Sequence, residues 1–339
     1  MIKIKSWFPK EMRDEYFKII LSKIEKKGTD TIEFLSGKII DVQTLLIGTR
    51  EEVFQVDGIK EYIDICNSNP DDPRIKNYKY DYINYDKIVA KWRDRLLSSL
   101  QIKCCPYCNR QYITFWHDEK DSSHSTADLD HYYQKKKYPL FALSLFNFVP
   151  SCQICNSRMK GSDDTETLYP YEEGMDEFHF RCEPKDTSAD GMVDLWLANK
   201  SVDVNKLLEL YELRLRDESG DDTAKTSEET AHINRIHGSI KVFHLEEVYK
   251  THLEAAINEM LKIRIYLSGD YAESAKMTLA EIGISEGSDS KNSFSKDEMR
   301  DIILGFVYDG QNKLDQPLGK MLSDLLEYEL KIKQTYDAS

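Results

Sequence analysis

Apolar residues recur along most of this chain at helical spacing and only in short stretches at strand spacing. From about residue 10 to 27, Phe17, Ile20, Leu21 and Ile24 fall on one face, with Pro9 near the start and Gly28 past the end. That pattern predicts an amphipathic helix. A short helix is expected near Ile59 to Ile65, a loop over Asn67 to Pro73, and a helix from about Tyr85 to Leu100. Two apolar runs, Phe178 to Cys182 and Met192 to Leu197, are joined by Pro184 to Gly191 and predict a hairpin. From Val204 onward the reading is helical. Leu207, Leu208, Leu210, Tyr211, Leu213 and Leu215 crowd one helix. His244 to Leu267 carries Leu245, Val248, Leu253, Ile257, Met260, Leu261 and Ile265 on another. Ser295 and Glu298 form a capping-box pattern ahead of Met299, Ile302 and Ile303, and Asp315 and Pro317 open a last helix to about Lys333. The polar stretches Asp217 to Ser227 and Ser285 to Ser293 predict exposed loops. The expected class is α+β and mostly helical. A mainly helical region spans 1–100, a compact core 101–165, a β-hairpin extension 166–200 and a helical domain 201–339.

Composition narrows the class. The chain has 339 residues, 40% hydrophobic and 31% charged, as in a soluble globular protein. No apolar run near the core approaches membrane-spanning length, and the N-terminal residues lack a signal-peptide pattern, so the expected compartment is the cytoplasm. In that reducing setting, seven cysteines point to metal rather than disulfides. The net charge of −14 argues against a protein coated in nucleic acid. The charge is uneven, however. Lys91 to Lys160 holds eleven Lys/Arg against six Asp/Glu, a net of +5, which leaves −19 for the remainder. A basic island in an acidic chain fits a local phosphate-contacting site, although an ordinary solvated surface accounts for the acidic part equally well.

Chemistry concentrates in that island. Cys105-Pro106-Tyr107-Cys108 and Cys152-Gln153-Ile154-Cys155 are two Cys-x-x-Cys pairs separated by 43 residues. Four thiolates at this spacing can close a tetrahedral Zn²⁺ site, which has no open position and is therefore structural. So long a gap implies that the intervening chain folds back as its own unit. Cys104 lies outside the two-residue spacing, and Cys66 and Cys182 read as buried apolar residues. Asp128 and Asp130 lie two apart, so a strand places both on one face and His131 on the other. A base and a metal could then flank one phosphate only where the strand ends or bends. Asn156 and Lys160 lie four apart, on one face of a helix. The remaining histidines, His117, His124, His179, His232, His237, His244 and His252, carry no motif; His124 stands closest to the core strand.

Taken together, Cys-Pro-Tyr-Cys, Asp128-Leu129-Asp130-His131-Tyr132-Tyr133, Tyr138-Pro139-Leu140, Asn147-Phe148-Val149-Pro150-Ser151-Cys152 and Cys155-Asn156 with Lys160-Gly161 resemble the HNH endonucleases. These have a ββα-metal fold, and many carry a four-cysteine zinc site. The resemblance covers about Cys105 to Gly161. It implies that His131 is the general base, that Asp130 and Asn156 hold a catalytic Mg²⁺ or Mn²⁺, and that Asn147 secures a loop without touching substrate. Cationic contacts to phosphate would come from Lys135, Lys136, Lys137, Arg158 and Lys160, although a lysine run is also an ordinary solvated turn. Gln134 stands where relatives often have Pro, a change in a loop and not in a ligand. The run Phe243 to Leu267 resembles, more weakly, the helices that follow the core in bacterial anti-phage defence proteins such as the HNH partner protein of Septu-type systems. That resemblance implies control by an ATPase partner; the chain itself has no Gly-x-x-x-x-Gly-Lys-Ser/Thr loop. The expected function is DNA cleavage. RNA cleavage and an inactive zinc-stabilised scaffold are the alternatives.

Overall fold

The computed structural model describes residues 1–25, 31–33, 39–76, 85–189, 191–193, 197, 202–220, 225–267 and 313–337. The described residues form helices and small antiparallel two-stranded sheets, an α+β architecture. It divides into two compact units, Met1–Gly174 with Asn234–Phe243, and Met175–Ile233 with His244–Ser339. Among the described residues no helix is long and apolar enough to cross a membrane.

The first unit begins with α1 (Lys10–Glu25), whose Tyr16 and Ile20 are fully buried. The strands β1 (Thr31–Glu33) and β2 (Ile39–Asp41) follow, then α2 (Val42–Ile47), α3 (Arg50–Phe54), α4 (Ile59–Ser68), α5 (Pro73–Lys76) and α6 (Tyr85–Leu100). Local chemistry sets the short helices. Asp41 caps α2 by accepting from the amides of Gln43 and Thr44, and Thr49 with Glu52 forms a capping box on α3. Leu45, Val53, Ile59, Tyr62 and Cys66 form one core with Tyr138, Leu140, Phe141 and Phe146. The short helices α2 to α5 therefore build the floor under the loop that follows His131.

The remainder of this unit includes two strand pairs, two single 3-10 turns (Pro139–Phe141 and Leu145–Asn147) and a short helix. β3 (Phe115–His117) pairs with β4 (Ser123–Ser125), and β5 (Asp128–His131) pairs with β6 (Phe148–Ser151). A short helix, α7 (Ile154–Lys160), follows directly and is wound wider than an α-helix, so the Gly161 amide donates to the Asn156 carbonyl at 3.0 Å. Residues 234–243 join the unit through specific contacts. Arg235 pairs with Glu173, and Ser239 Oγ accepts from the Leu168 amide at 2.9 Å. Gly238 passes so close to Glu166 that an added Cβ would lie 2.0 Å from its carbonyl oxygen, which only glycine avoids.

The second unit is built on β7 (Phe178–Pro184), α8 (Val204–Leu210), β8 (Tyr211–Asp217), α9 (Ser227–Val242, shared with the first unit from Asn234), α10 (Leu245–Lys250), α11 (Leu253–Leu267) and α12 (Gly319–Asp337). Phe180, Leu207, Leu213, Ile257, Met260 and Leu325 belong to its core. Three expectations are corrected here. β7 pairs with β8 in register Phe178↔Asp217 to Pro184↔Tyr211, and Met192, Val193 and Leu197 of the expected partner run are helical; residues 194–196 lie outside the described residues. Tyr211, Leu213 and Leu215 lie on that strand rather than on the preceding helix. Tyr-Glu-Leu-Arg-Leu-Arg-Asp alternates apolar and charged residues with period two, which is a strand pattern. The helix expected over His244 to Leu267 is two helices, broken at Thr251 and His252. The last helix starts at Gly319, two residues past Pro317, and runs to Asp337 rather than to about Lys333. Ser295, Glu298 and the stretch 285–293 lie outside the described residues.

Candidate functional site

Backbone turns bring the four sulfurs together. The chain reverses over 103–113: the Cys105 amide donates to Gln111 at 3.0 Å and the Ile113 amide to Lys103 at 2.8 Å. Asn109 adopts φ 49°, a left-handed conformation that Asn tolerates, and its amide donates to Cys105 at 2.8 Å. That turn brings the Arg110 amide to 3.5 Å from Cys108 Sγ. The second pair repeats the device, with the Cys155 amide 3.5 Å from Cys152 Sγ. All four cysteines are buried, and their sulfurs lie within 4.8 Å of one another, placed to bind a metal ion. Zn–S bonds of 2.3 Å at tetrahedral angles separate sulfurs by about 3.8 Å, so the set fits one ion. Burial and the neighbouring sulfurs push the Cys105 thiol up, which a cation among them would reverse. Cys104, also buried, bridges to Tyr112 and stands outside the set. Cys66 and Cys182 are buried in the two cores.

Immediately beside the cysteines, β5 presents its two carboxylates to α7. One helical turn and two strand residues span comparable lengths, about 5–7 Å, so the pairs match in register. Asn156 Nδ2 donates to Asp128 Oδ2 at 3.0 Å, and Lys160 Nζ donates to Asp130 Oδ2 at 2.6 Å. Asp130 is 4% exposed and Lys160 6%. Lys160 also donates to the His131 carbonyl at 2.7 Å. It is thus an internal cation, and the structure does not place it at the surface where a phosphate contact was expected. Tyr107 donates its hydroxyl to the same Asp130 Oδ2 at 2.6 Å, and its ring stacks on Phe243 at 4.5 Å. Burial and the Asp130 carboxylate hold the Tyr107 hydroxyl well above its ordinary pKa, so it remains a donor.

His131 ends β5, and bends follow at Tyr132 and Tyr133, which meets the geometric condition set by the alternation. Its Nε2 lies 3.1 Å from the Ala142 carbonyl, and its ring meets Phe148 edge-on at 5.3 Å. A carbonyl accepts only, so Nε2 carries the proton and Nδ1 the lone pair. Burial lowers the imidazole pKa to about 4, against the raising influence of the Ala142 carbonyl and Asp130. His131 is neutral at pH 7.

Asn147 is fully buried and grips the loop after His131. Its Oδ1 accepts from the Tyr133 amide at 2.6 Å; its Nδ2 donates to Tyr133 at 2.9 Å and Phe141 at 3.0 Å. Lys135, Lys136 and Arg158 are exposed, whereas Lys137 pairs with Asp164 at 3.1 Å. His124 stands on the β3–β4 hairpin, stacked on exposed Trp116 at 5.3 Å and 3.2 Å from Asp118. Tyr107 was missed by the sequence reading, although its place inside the first Cys-x-x-Cys pair was a signal that it lies beside the site. The Ala142 carbonyl left no trace in the sequence. Comparison of the chain with family models, curated proteins and solved structures finds no match.

Proposed function

We propose that this chain is a metal-dependent endonuclease of the HNH type that hydrolyses phosphodiester bonds in DNA. In this reading Zn²⁺ on Cys105, Cys108, Cys152 and Cys155 is structural. One observation supports it most: a strand–loop–strand–helix unit pinned at its base by the cysteines, with His131 ending β5 and Asn156 of α7 beside its carboxylate face. Asp130 and Asn156 are oxygen donors suited to Mg²⁺ or Mn²⁺, and such an ion would supply charge neutralisation at the scissile phosphate and leaving oxygen. His131, held neutral with Nδ1 as its basic nitrogen, takes the proton from the attacking water. Asn147 holds the loop that carries the Ala142 carbonyl, and so keeps the imidazole oriented. The exposed Lys135, Lys136 and Arg158 meet backbone phosphates; Lys137 contributes if its pair with Asp164 opens.

The second unit, whose described residues are helical with a β7–β8 ribbon, fits a docking role, and the reading includes an ATPase partner that controls cleavage in anti-phage defence. One observation favours a second reading, an inactive zinc-stabilised scaffold. Asp130 is already neutralised by Lys160, as a purely structural carboxylate would be. Offering DNA and RNA together to zinc-loaded protein with Mn²⁺ tests the proposal. DNA cleavage is expected; RNA cleavage alone would change the polymer; cleavage of neither, with or without the co-expressed ATPase, would favour the scaffold.

A further inference from the structure

We infer that Tyr107 and Asp128 are positioning residues that fix which atom Asp130 and Asn156 each present to a divalent cation, a role that rests on the reading of those two side chains as its ligands. An asparagine amide can bind a hard cation only through Oδ1; turned by 180° it offers an NH₂ group, which cannot. Asp128 Oδ2 accepts from Asn156 Nδ2 at 3.0 Å, which selects the turn that leaves Oδ1 as the ligating atom. Asp130 is constrained in the same way. Its two donors among the described residues, Tyr107 and Lys160, both reach Oδ2 at 2.6 Å, so Oδ1 is the oxygen left for a metal. Each proposed ligand is therefore held by its non-ligating atom.

The two clamps come from different places. Asp128 lies on the strand face that carries Asp130, two residues away. Tyr107 comes from the turn between Cys105 and Cys108, with its ring packed on Phe243. Its fully buried ring ties the position of the hydroxyl to the cysteine turn. The structural ion would in this way set the orientation of a ligand of the catalytic ion. Lys160 adds a charge as well as a hydrogen bond, so the neutral Tyr107 hydroxyl is the cleaner probe. Tyr107→Phe deletes one O–H and keeps both the ring and the net charge. Hydrogen-bond partners of metal ligands typically account for about 10–100-fold in metal affinity.

The test is Mn²⁺ affinity, read from the paramagnetic resonance of free Mn²⁺ during titration of full-length, zinc-loaded protein. Wild type is compared with Asp130→Asn, Tyr107→Phe, Asp128→Ala and Asp128→Asn, each with its zinc content and melting temperature recorded. We expect Asp130→Asn to lose binding. Tyr107→Phe and Asp128→Ala should weaken it by about 10–100-fold at unchanged zinc content. Asp128→Asn, which still offers an oxygen to Asn156, should restore most of the affinity. Wild-type affinity in both Tyr107→Phe and Asp128→Ala would overturn the inference and leave the two residues purely structural. An Asp128→Asn variant as weak as Asp128→Ala would overturn it for Asp128, making that residue a ligand. Wild type that binds no Mn²⁺ would remove the divalent-ion reading itself, and the inference with it.

Discussion

Lys160 and Asp130 form an ion pair at 2.6 Å with both side chains almost wholly removed from solvent. A buried pair of this kind is costly to break from one side, because the remaining charge stays desolvated. Asp130→Ala should therefore destabilise the first unit by about 3–5 kcal/mol. The double variant Asp130→Leu with Lys160→Met leaves no stranded charge and should recover part of that loss, the Tyr107 hydroxyl and the His131 carbonyl still losing these partners. Urea unfolding followed by circular dichroism measures both; equal losses in the single and double variants would show that the pair carries no such coupling.

Metal content provides a second prediction. Purified protein should hold one Zn²⁺ per chain by elemental analysis. Cys155→Ser should lose it together with the tertiary structure of the first unit, since Cys152 and Cys155 join the end of β6 to α7. A stoichiometry of zero in correctly folded protein would contradict the assignment of the four cysteines.

Asn147 should be a stability residue. Asn147→Ala removes three hydrogen bonds and strands the Tyr133 and Phe141 backbone groups in a buried site. The expected loss is about 2–4 kcal/mol, accompanied by weaker hydrogen-exchange protection over 133–141. Because that loop supplies the Ala142 carbonyl, His131 should become less ordered as well.

His131 should titrate at about 4, read from its imidazole proton resonances in zinc-loaded protein without other divalent ions. The sign follows from burial, which disfavours the charged ring. Between the unfolded value of about 6.5 and the folded value, the unfolded chain binds more protons. This group therefore leaves stability intact above about 6.5 and erodes it as pH falls toward about 4. A His131 resonance titrating near 6.5 would mean that the ring is solvated and its Ala142 contact is not maintained.

The sequence disclosed the parts of this protein whose signal is local. Two Cys-x-x-Cys pairs need only their spacing to be read, and α6 and α7 follow from periodicity and from their place beside those pairs. The partner of β7 was misassigned because the nearest apolar run, Met192 to Leu197, was preferred over Tyr211–Asp217. The alternation of Glu212, Arg214 and Arg216 with Tyr211, Leu213 and Leu215 was visible but was read as part of a leucine-rich helix. Lys160 was placed on the correct helix face but given the wrong surroundings. Periodicity shows which residues share a face, not whether a carboxylate waits on the strand beneath. The Ala142 carbonyl illustrates the same limit, since a contact across 11 residues follows from folding and leaves no pattern in the chain; the place of Tyr107 between Cys105 and Cys108 marked it as near the site but not that its hydroxyl meets Asp130, 23 residues away.

The most direct test of the account is cleavage of supercoiled plasmid by wild type beside His131→Ala, each zinc-loaded, with Mg²⁺ or Mn²⁺ and with EDTA. Wild type is expected to give nicked or linear product with a divalent ion and none with EDTA, and His131→Ala to lose at least about 100-fold at unchanged zinc content and fold. Equal cleavage by His131→Ala, or cleavage that persists in EDTA, would contradict the account.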